Sequence, residues 1–275
     1  MPLSEAGLPV TDLIIQRGYG IFDFLRIANN IPIYLSDHLE RFNASAKEMR
    51  MPLLKSTEEI KNIIIQLLYT NKQPNSGVRI LLSGGISDDG YGITQPNLVL
   101  IQQPITPPSD LMNAKGYKLV TYAHQRQLPQ VKTTDYLMAI RLQPWVKEKG
   151  ANEVLYHQNG IITECPRSNF FIISNHQKII TPKNNILPGI TRKQILLIAE
   201  QNGLPFEEKD ISRSDIEGAS EAFISSATKR IIPVAQVDDK VLQSLSKNSI
   251  TSRLFYLLLA HEKKVNTPFY HIVES

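Results

Sequence analysis

The spacing of apolar residues changes several times along this chain, and each spacing predicts an element. Residues 19–28 (Tyr-Gly-Ile-Phe-Asp-Phe-Leu-Arg-Ile-Ala) follow Arg17-Gly18 and read as a strand, with 31–34 as its partner across an Asn29-Asn30 hairpin turn. Ser36-Asp37 opens a helix over 38–50. Leu39, Phe42, Ala46 and Met49 recur there at helical spacing, so one face packs inward and Arg41 lies near its edge. A second amphipathic helix over 57–69 carries Ile60, Ile63, Ile64, Leu67 and Leu68. Strands follow at 77–83 and 97–101, on either side of a glycine-rich loop from Gly84 to Gly92.

The Pro-rich, polar stretch 104–113 interrupts these patterns and marks a domain boundary. The expected organisation is a small domain over 1–106, a linker over 107–114 and a large domain over 115–275. Past the boundary, 117–122 reads as a strand and 135–149 as a helix kinked at Pro144 and ended by Gly150. Hairpins are expected for 153–157 with 161–163, across Gln158-Asn159-Gly160, and for 169–174 with 178–181. Glu164 then falls just past a strand end. A helix over 190–202 and a strand at 222–224 complete an α+β chain with strands and helices mixed around a larger sheet.

Composition narrows the class. With 275 residues and 42% hydrophobic content the chain buries a full core and favours two domains. The net charge of +4 comes from cations interleaved with acids, so no basic face or motif points to nucleic acid. No apolar run approaches the roughly 20 residues of a membrane span, and Met1-Pro2-Leu3-Ser4-Glu5 does not resemble a signal peptide, so a cytoplasmic location is expected. Cys165 is the lone cysteine, which excludes an internal disulfide and a cysteine-based zinc site.

Candidate chemistry begins at Lys132. It stands among Val131, Thr133 and Thr134 after Pro129, where a strand is expected and the ammonium loses water. Desolvation favours the neutral amine, the form that attacks a carbonyl. Glu164 follows as a carboxylate, though an acid taken alone is more often a surface acid than a catalytic one. Gly189 in Leu187-Pro188-Gly189-Ile190-Thr191 lets backbone approach a ligand, and the amides of Ile190 and Thr191 open a helix, where an anion belongs. Ser225-Ser226-Ala227-Thr228 offers a second, glycine-free cradle. The loop from Gly84 to Gly92 has no GxGxxG and no Lys followed by Ser or Thr, so it is expected to act as a lid or a partner-contacting loop. A nucleophilic lysine, an acid and two anion cradles are together the needs of pyridoxal 5′-phosphate.

In this order, Arg17-Gly18-Tyr19-Gly20-Ile21-Phe22-Asp23, His38-Leu39-Glu40-Arg41-Phe42, 132–137, Thr163-Glu164, Ser168-Asn169, 187–192 and 225–233 resemble the fold-type IV (class IV) pyridoxal-phosphate enzymes. That group holds D-amino-acid aminotransferase, branched-chain aminotransferase and aminodeoxychorismate lyase. The resemblance implies a small α/β domain, a barrel-like large domain and a homodimer. It implies that Lys132 is the Schiff-base lysine and proton shuttle, and that Glu164 is the acid beside the pyridine nitrogen. Arg41, Ile190, Thr191, Ser226 and the backbone of Ala227 are expected on the phosphate, Leu187 on the ring and Tyr136 on the phenolic oxygen. Ala227 stands where many members carry Thr, and Cys165 replaces a small residue common after the acid. The loop from Gly84 to Gly92 lacks the Arg and His of typical D-amino-acid enzymes, which leaves Arg79 and then Arg17 to bind a substrate carboxylate, with Phe22 beside them. The short strand that usually precedes the first motif is not expected here. The implied activity is amino transfer between an amino acid and a 2-oxo acid, D-amino acids ahead of branched-chain ones, with aminodeoxychorismate lyase as the alternative.

Overall fold

Tyr34 ends the first hairpin earlier than its sequence suggests. Asn29 and Asn30 both take positive φ (52° and 63°), as a tight turn between twisted strands requires, but Tyr34 is also left-handed at 54° and leads directly into a helix. The partner strand is therefore only Ile31–Pro32. In the computed structural model, which describes residues 1–265, the chain forms two compact units. Unit 1 is built from Met1–Pro107 and Val131–Asp135, and unit 2 from Pro108–Gln130 and Tyr136–Lys264. The expected large domain runs on to residue 275; residues 266–275 lie outside the described residues.

Unit 1 contains α1 (Leu13–Arg17), β1 (Gly20–Ala28), β2 (Ile31–Pro32), α2 (Leu35–Glu48), α3 (Thr57–Asn71), β3 (Ser76–Ser83) and β4 (Asn97–Pro104). Its antiparallel sheet has the order β2-β1-β3-β4. Ile21, Leu25, Val78, Ile80 and Leu82 point to one face and pack with Leu39, Phe42, Ile60 and Ile64 of the two helices. Strand alternation sends Phe22, Phe24, Arg79 and Leu81 to the other face, where Arg79 lies opposite Phe24 in register. The helix α3 starts at a capping box between Ser56 and Glu59. Ahead of β1 the chain makes the short α1 and an isolated bridge, Asp12 to Ile86, in place of a strand. That bridge pins the base of the glycine-rich loop, with Leu13 N–H donating to Gly85 O. Farther out, Asp89 accepts from the amides of Gly92 and Tyr91 and from the Ser87 hydroxyl, so the segment expected as a lid is braced from within.

Unit 2 contains β5 (Tyr117–Ala123), α4 (Leu137–Arg141), α5 (Gln143–Glu148), β6 (Glu153–Gln158), β7 (Ile161–Ile162), β8 (Glu164–Cys165), β9 (Ser168–Ser174), β10 (Ile179–Thr181) and α6 (Ile190–Gln201). It continues with β11 (Phe206–Glu208), β12 (Ile211–Ser212), α7 (Arg213–Glu217), β13 (Ala219–Ser226), β14 (Arg230–Val237), β15 (Lys240–Val241) and α8 (Ile250–Val265). The strand order is β11-β10-β9-β13-β14-β5-β6-β7-β12, with β8 on β9 and β15 on β14, and the sheet is mixed. Leu119, Leu155, Ile162, Phe170, Ile224 and Val234 converge from its distant parts into a single cluster, so the sheet curls around that cluster as the barrel-like expectation requires. The opposite face carries Phe171 stacked on Phe223 and is covered by α6 and α8.

Two expectations fail locally. The helix over 135–149 is two helices: Pro144 stands in the first turn of α5, where its missing N–H costs nothing, so the α4 ladder stops at Leu142. Lys132 lies in no strand. Thr133 makes one bridge to Ile21 on the edge of β1, and the pairing goes no further.

Candidate active site

Unit 1 brings three of the expected residues together. Phe22 N–H donates to Lys132 O at 2.9 Å and Thr134 N–H donates to Gly20 O at 3.0 Å, so the backbone alone fixes the Lys132 segment on β1. The Lys132 ammonium lies 4.7 Å from the centroid of the Phe22 ring. The guanidinium of Arg79 lies 4.9 Å from the same centroid and 5.8 Å from that of Phe24. One aromatic ring therefore serves two cations, each attracted to its negative face. Lys132 is half-buried, so only part of the expected desolvation is realised. Arg17 ends α1, is exposed and donates to Gln16 O.

Arg41 is tied to a group that sequence reasoning gave no role. Asp23, fully buried, accepts Arg41 Nε and Nη2, each at 2.8 Å, and lies 2.7 Å from His38 Nδ1. Burial pushes the Asp23 carboxyl up, but the neighbouring Arg41 and His38 outweigh it and hold Asp23 well below the usual carboxylate range. The guanidinium of Arg41 is consequently locked in orientation. The motif in which Asp23 stands was legible, but the ion pair between a strand and a helix was not.

Unit 2 builds the acid. Glu164 lies in β8 itself rather than just past a strand, and it is buried. Its Oε1 accepts from Arg126 Nη1 at 3.1 Å, and its Oε2 accepts from Leu187 N–H at 3.0 Å and from Asn169 Nδ2 at 3.4 Å. Asn169 Nδ2 also donates to Leu187 O at 2.9 Å, which fixes the turn that leads to Gly189. Arg126 is the second residue that sequence reasoning missed; it stands in a loop with no periodicity to single it out. Cys165 is buried, and burial first, then Glu153 and Glu164, raise its thiol well above its ordinary value against Lys229, so it is chemically quiet.

The anion cradles survive a test on geometry. Gly189 precedes α6, and a Cβ there would come within 1.9 Å of Asn169 Oδ1, so only glycine fits. No side chain caps α6, which leaves the amides of Ile190 and Thr191 at its N-terminus to a ligand. The strand β13, on which α6 packs, ends at Ser225 and Ser226, whose buried hydroxyls find no hydrogen-bond partner among the described residues. Buried hydroxyls without partners are costly, and a phosphate ester would satisfy them. Ala227 adds no hydroxyl, Thr228 is exposed, and Leu187 and Tyr136 are half-buried. The donor set fits pyridoxal 5′-phosphate: an anion cradle, and a buried carboxylate to face a ring nitrogen.

The model of the amino-transferase class IV family matches residues 20–237. The chain is similar to the D-alanine aminotransferase of Bacillus licheniformis, with 28% identity over 260 residues, 92% of this chain and 91% of the relative. Among solved structures it is similar to a T.th. branched-chain amino acid aminotransferase with pyridoxamine 5′-phosphate: TM-score 0.87, 20% identity, 96% of this chain and 92% of that one. A chain from Legionella pneumophila, described provisionally as a 4-amino-4-deoxychorismate lyase, matches with TM-score 0.84 and 23% identity over 94% of this chain and 97% of its own. At such identities these two structures share a fold with this chain.

Proposed function

The chain belongs to the class IV aminotransferase family, a family of pyridoxal-phosphate enzymes, and from that premise we propose that it moves an amino group from an amino acid, a D-amino acid by preference, to a 2-oxo acid. The observation that carries the choice of an amino acid is the Phe22 ring shared by Lys132 and Arg79. An amino acid bears its amine and its carboxylate on one carbon. A lysine to handle the proton at that carbon and an arginine to hold the carboxylate must therefore stand a few ångströms apart. The D-preference is supported by the similarity to a D-alanine aminotransferase.

Pyridoxal 5′-phosphate, when bound, supplies an electron sink for the charge left at the substrate Cα. Lys132 takes and returns the Cα proton. Glu164 sets a negative charge against the pyridine nitrogen, which favours its protonated form. The amides of Ile190, Thr191 and Ala227 and the Ser226 hydroxyl would hold the phosphate, with Arg41 as its cation; Leu187 would cover the ring, and Tyr136 would donate to the phenolic oxygen. Arg79 binds the substrate carboxylate, Phe22 forms the adjoining wall, and the exposed Arg17 is the second cation.

Steady-state assays with D- and L-amino donors, and with aminodeoxychorismate, each with and without a 2-oxo acid, test this reading. Amino transfer that requires the 2-oxo acid supports it; pyruvate released from aminodeoxychorismate without an acceptor would overturn it in favour of a lyase. Within the same panel, Arg79→Leu is expected to raise KM for amino acids about 10- to 150-fold, the range of a hydrogen bond to a charged group. Simple amines without a carboxylate should be unaffected, and equal losses for both would show that Arg79 is structural.

The same proposal includes a homodimer in the cytoplasm. Leu137 and Ile140 of α4 are 72% and 64% exposed, and two such side chains on one short helix favour a covering partner. Light scattering should give twice the chain mass at micromolar concentration, and a fully active monomer would sink the dimer. No helix among the described residues is long and apolar enough to cross a membrane.

A further inference from the structure

Arg126 is largely withdrawn from solvent although it belongs to no helix or strand. Its side chain is 15% exposed and that of Glu164 is 7% exposed. A guanidinium brought this far out of water loses hydration that only well-placed acceptors restore. Its Nη1 has two: Glu164 Oε1 at 3.1 Å and Pro129 O at 3.0 Å. The first acceptor is the acid; the second is a backbone carbonyl three residues before Lys132. A single guanidinium thus joins the carboxylate assigned to the cofactor's ring and the turn from which the Lys132 segment departs.

We propose that Arg126 is a positioning residue for the amino-transfer reaction: through Nη1 it would orient the Glu164 carboxylate for the pyridine nitrogen and anchor the turn at Pro129. This rests on the cofactor reading given above. Glu164 is held on both oxygens, with Leu187 N–H and Asn169 Nδ2 on Oε2 and Arg126 on Oε1, so loss of Arg126 unbalances the carboxylate. Without Arg126 the buried carboxylate would also lose a neighbouring cation, and a buried charge with less compensation draws in water, which screens the negative charge meant for the ring nitrogen. Lysine at this position would keep a charge on a shorter side chain without the planar guanidinium, so its nitrogen would not stand where Nη1 meets the two acceptors.

The experiment uses the full chain, stripped of cofactor and titrated with pyridoxal 5′-phosphate by fluorescence quenching, for the parent, R126Q, R126K and E164Q. The parent is expected to bind saturably. R126Q should bind the cofactor about 10- to 150-fold more weakly and R126K should fall between the two. In the loaded enzymes kcat should fall for R126Q while KM for the amino donor stays put, since Nη1 of Arg126 is engaged by Glu164 and the Pro129 carbonyl. A parent that binds no cofactor would refute the cofactor reading itself, whatever the variants do. A parent that binds, with an R126Q protein of unchanged affinity, would overturn the role of Arg126 alone. Should R126Q not fold, the cycle formed by R126K, E164Q and R126K/E164Q decides. Their losses in cofactor affinity are expected to be strongly non-additive, and additive losses would overturn the proposal.

Discussion

Lys132→Ala is expected to lower kcat for amino transfer by at least about 10²- to 10⁴-fold, the usual contribution of a positioned acid or base. The structure makes this a clean test. The bonds that seat the segment run from Phe22 N–H to Lys132 O and from Thr134 N–H to Gly20 O, so alanine keeps them all. With the side chain leaves the ammonium on the Phe22 ring, a contact that contributes about 0.5–2 kcal/mol among those of Lys132. The variant should therefore remain folded, with a Tm within several degrees of the parent, and should release pyridoxal 5′-phosphate on dialysis as followed by its absorbance. Lys132→Arg sharpens the outcome. Arginine keeps a cation over Phe22 but stays protonated at any working pH, so it should preserve stability and still fail to move a proton. Full turnover in either variant would remove Lys132 from the chemistry.

The sequence disclosed those parts of the molecule whose causes are local. Asn29-Asn30 and Asn159-Gly160 announce tight turns because few residues tolerate positive φ, and both turns are found. Ile60, Ile64 and Leu68 mark the inner face of α3 by their period, and Gly189 marks a close approach because a side chain there has no room. The misreadings share a different cause. Lys132 sits among β-branched neighbours that favour a strand, yet whether a strand forms depends on a partner edge, and β1 offers it one bridge. Strand propensity describes a surface that fits a sheet and cannot state how many pairs the sheet supplies. The helix over 135–149 was legible in extent, but the break at Leu142 follows from a proline whose place in a first turn needs the preceding turn to stop.

Charged partners were the least legible of all. Arg126 and Glu164 are 38 residues apart in the chain, and neither a period nor a turn signal connects them. Arg41 could be matched to a family position while its holder, Asp23, stayed unnoticed, because an aspartate in an apolar strand carries no mark of what it faces across the core. Buried acids become intelligible only when the cations that compensate them are seen. Asp23 has Arg41 for this, and Glu164 has Arg126.

Asp23→Asn is expected to destabilise the protein by about 3–5 kcal/mol, the cost of breaking a buried ion pair by removing one member. Asparagine fills the same space, so the loss reports charge rather than packing. Asp23 is fully buried and accepts Arg41 Nε and Nη2, the Phe24 amide at 2.7 Å and the His38 ring, so Arg41 would be left facing a neutral amide that also competes as a donor. The pH dependence gives the sign. The folded-state value of Asp23 is depressed, since Arg41 and His38 outweigh the burial that would raise it. A depressed carboxylate contributes stability that is present in full above its unfolded value of about 3.9 and is lost as pH falls through the folded value. Urea midpoints should therefore differ most between parent and variant near neutral pH, and the gap should close as pH is lowered from about 4 toward 2. Removing both charges, as in Asp23→Leu with Arg41→Met, should cost less than Asp23→Asn alone, because apolar replacement of a whole buried pair is often close to neutral. A gap between parent and Asp23→Asn that stays constant from pH 7 to about 2.5 would show that Asp23 acts through its shape and hydrogen bonds, and that Arg41 does not depend on its charge.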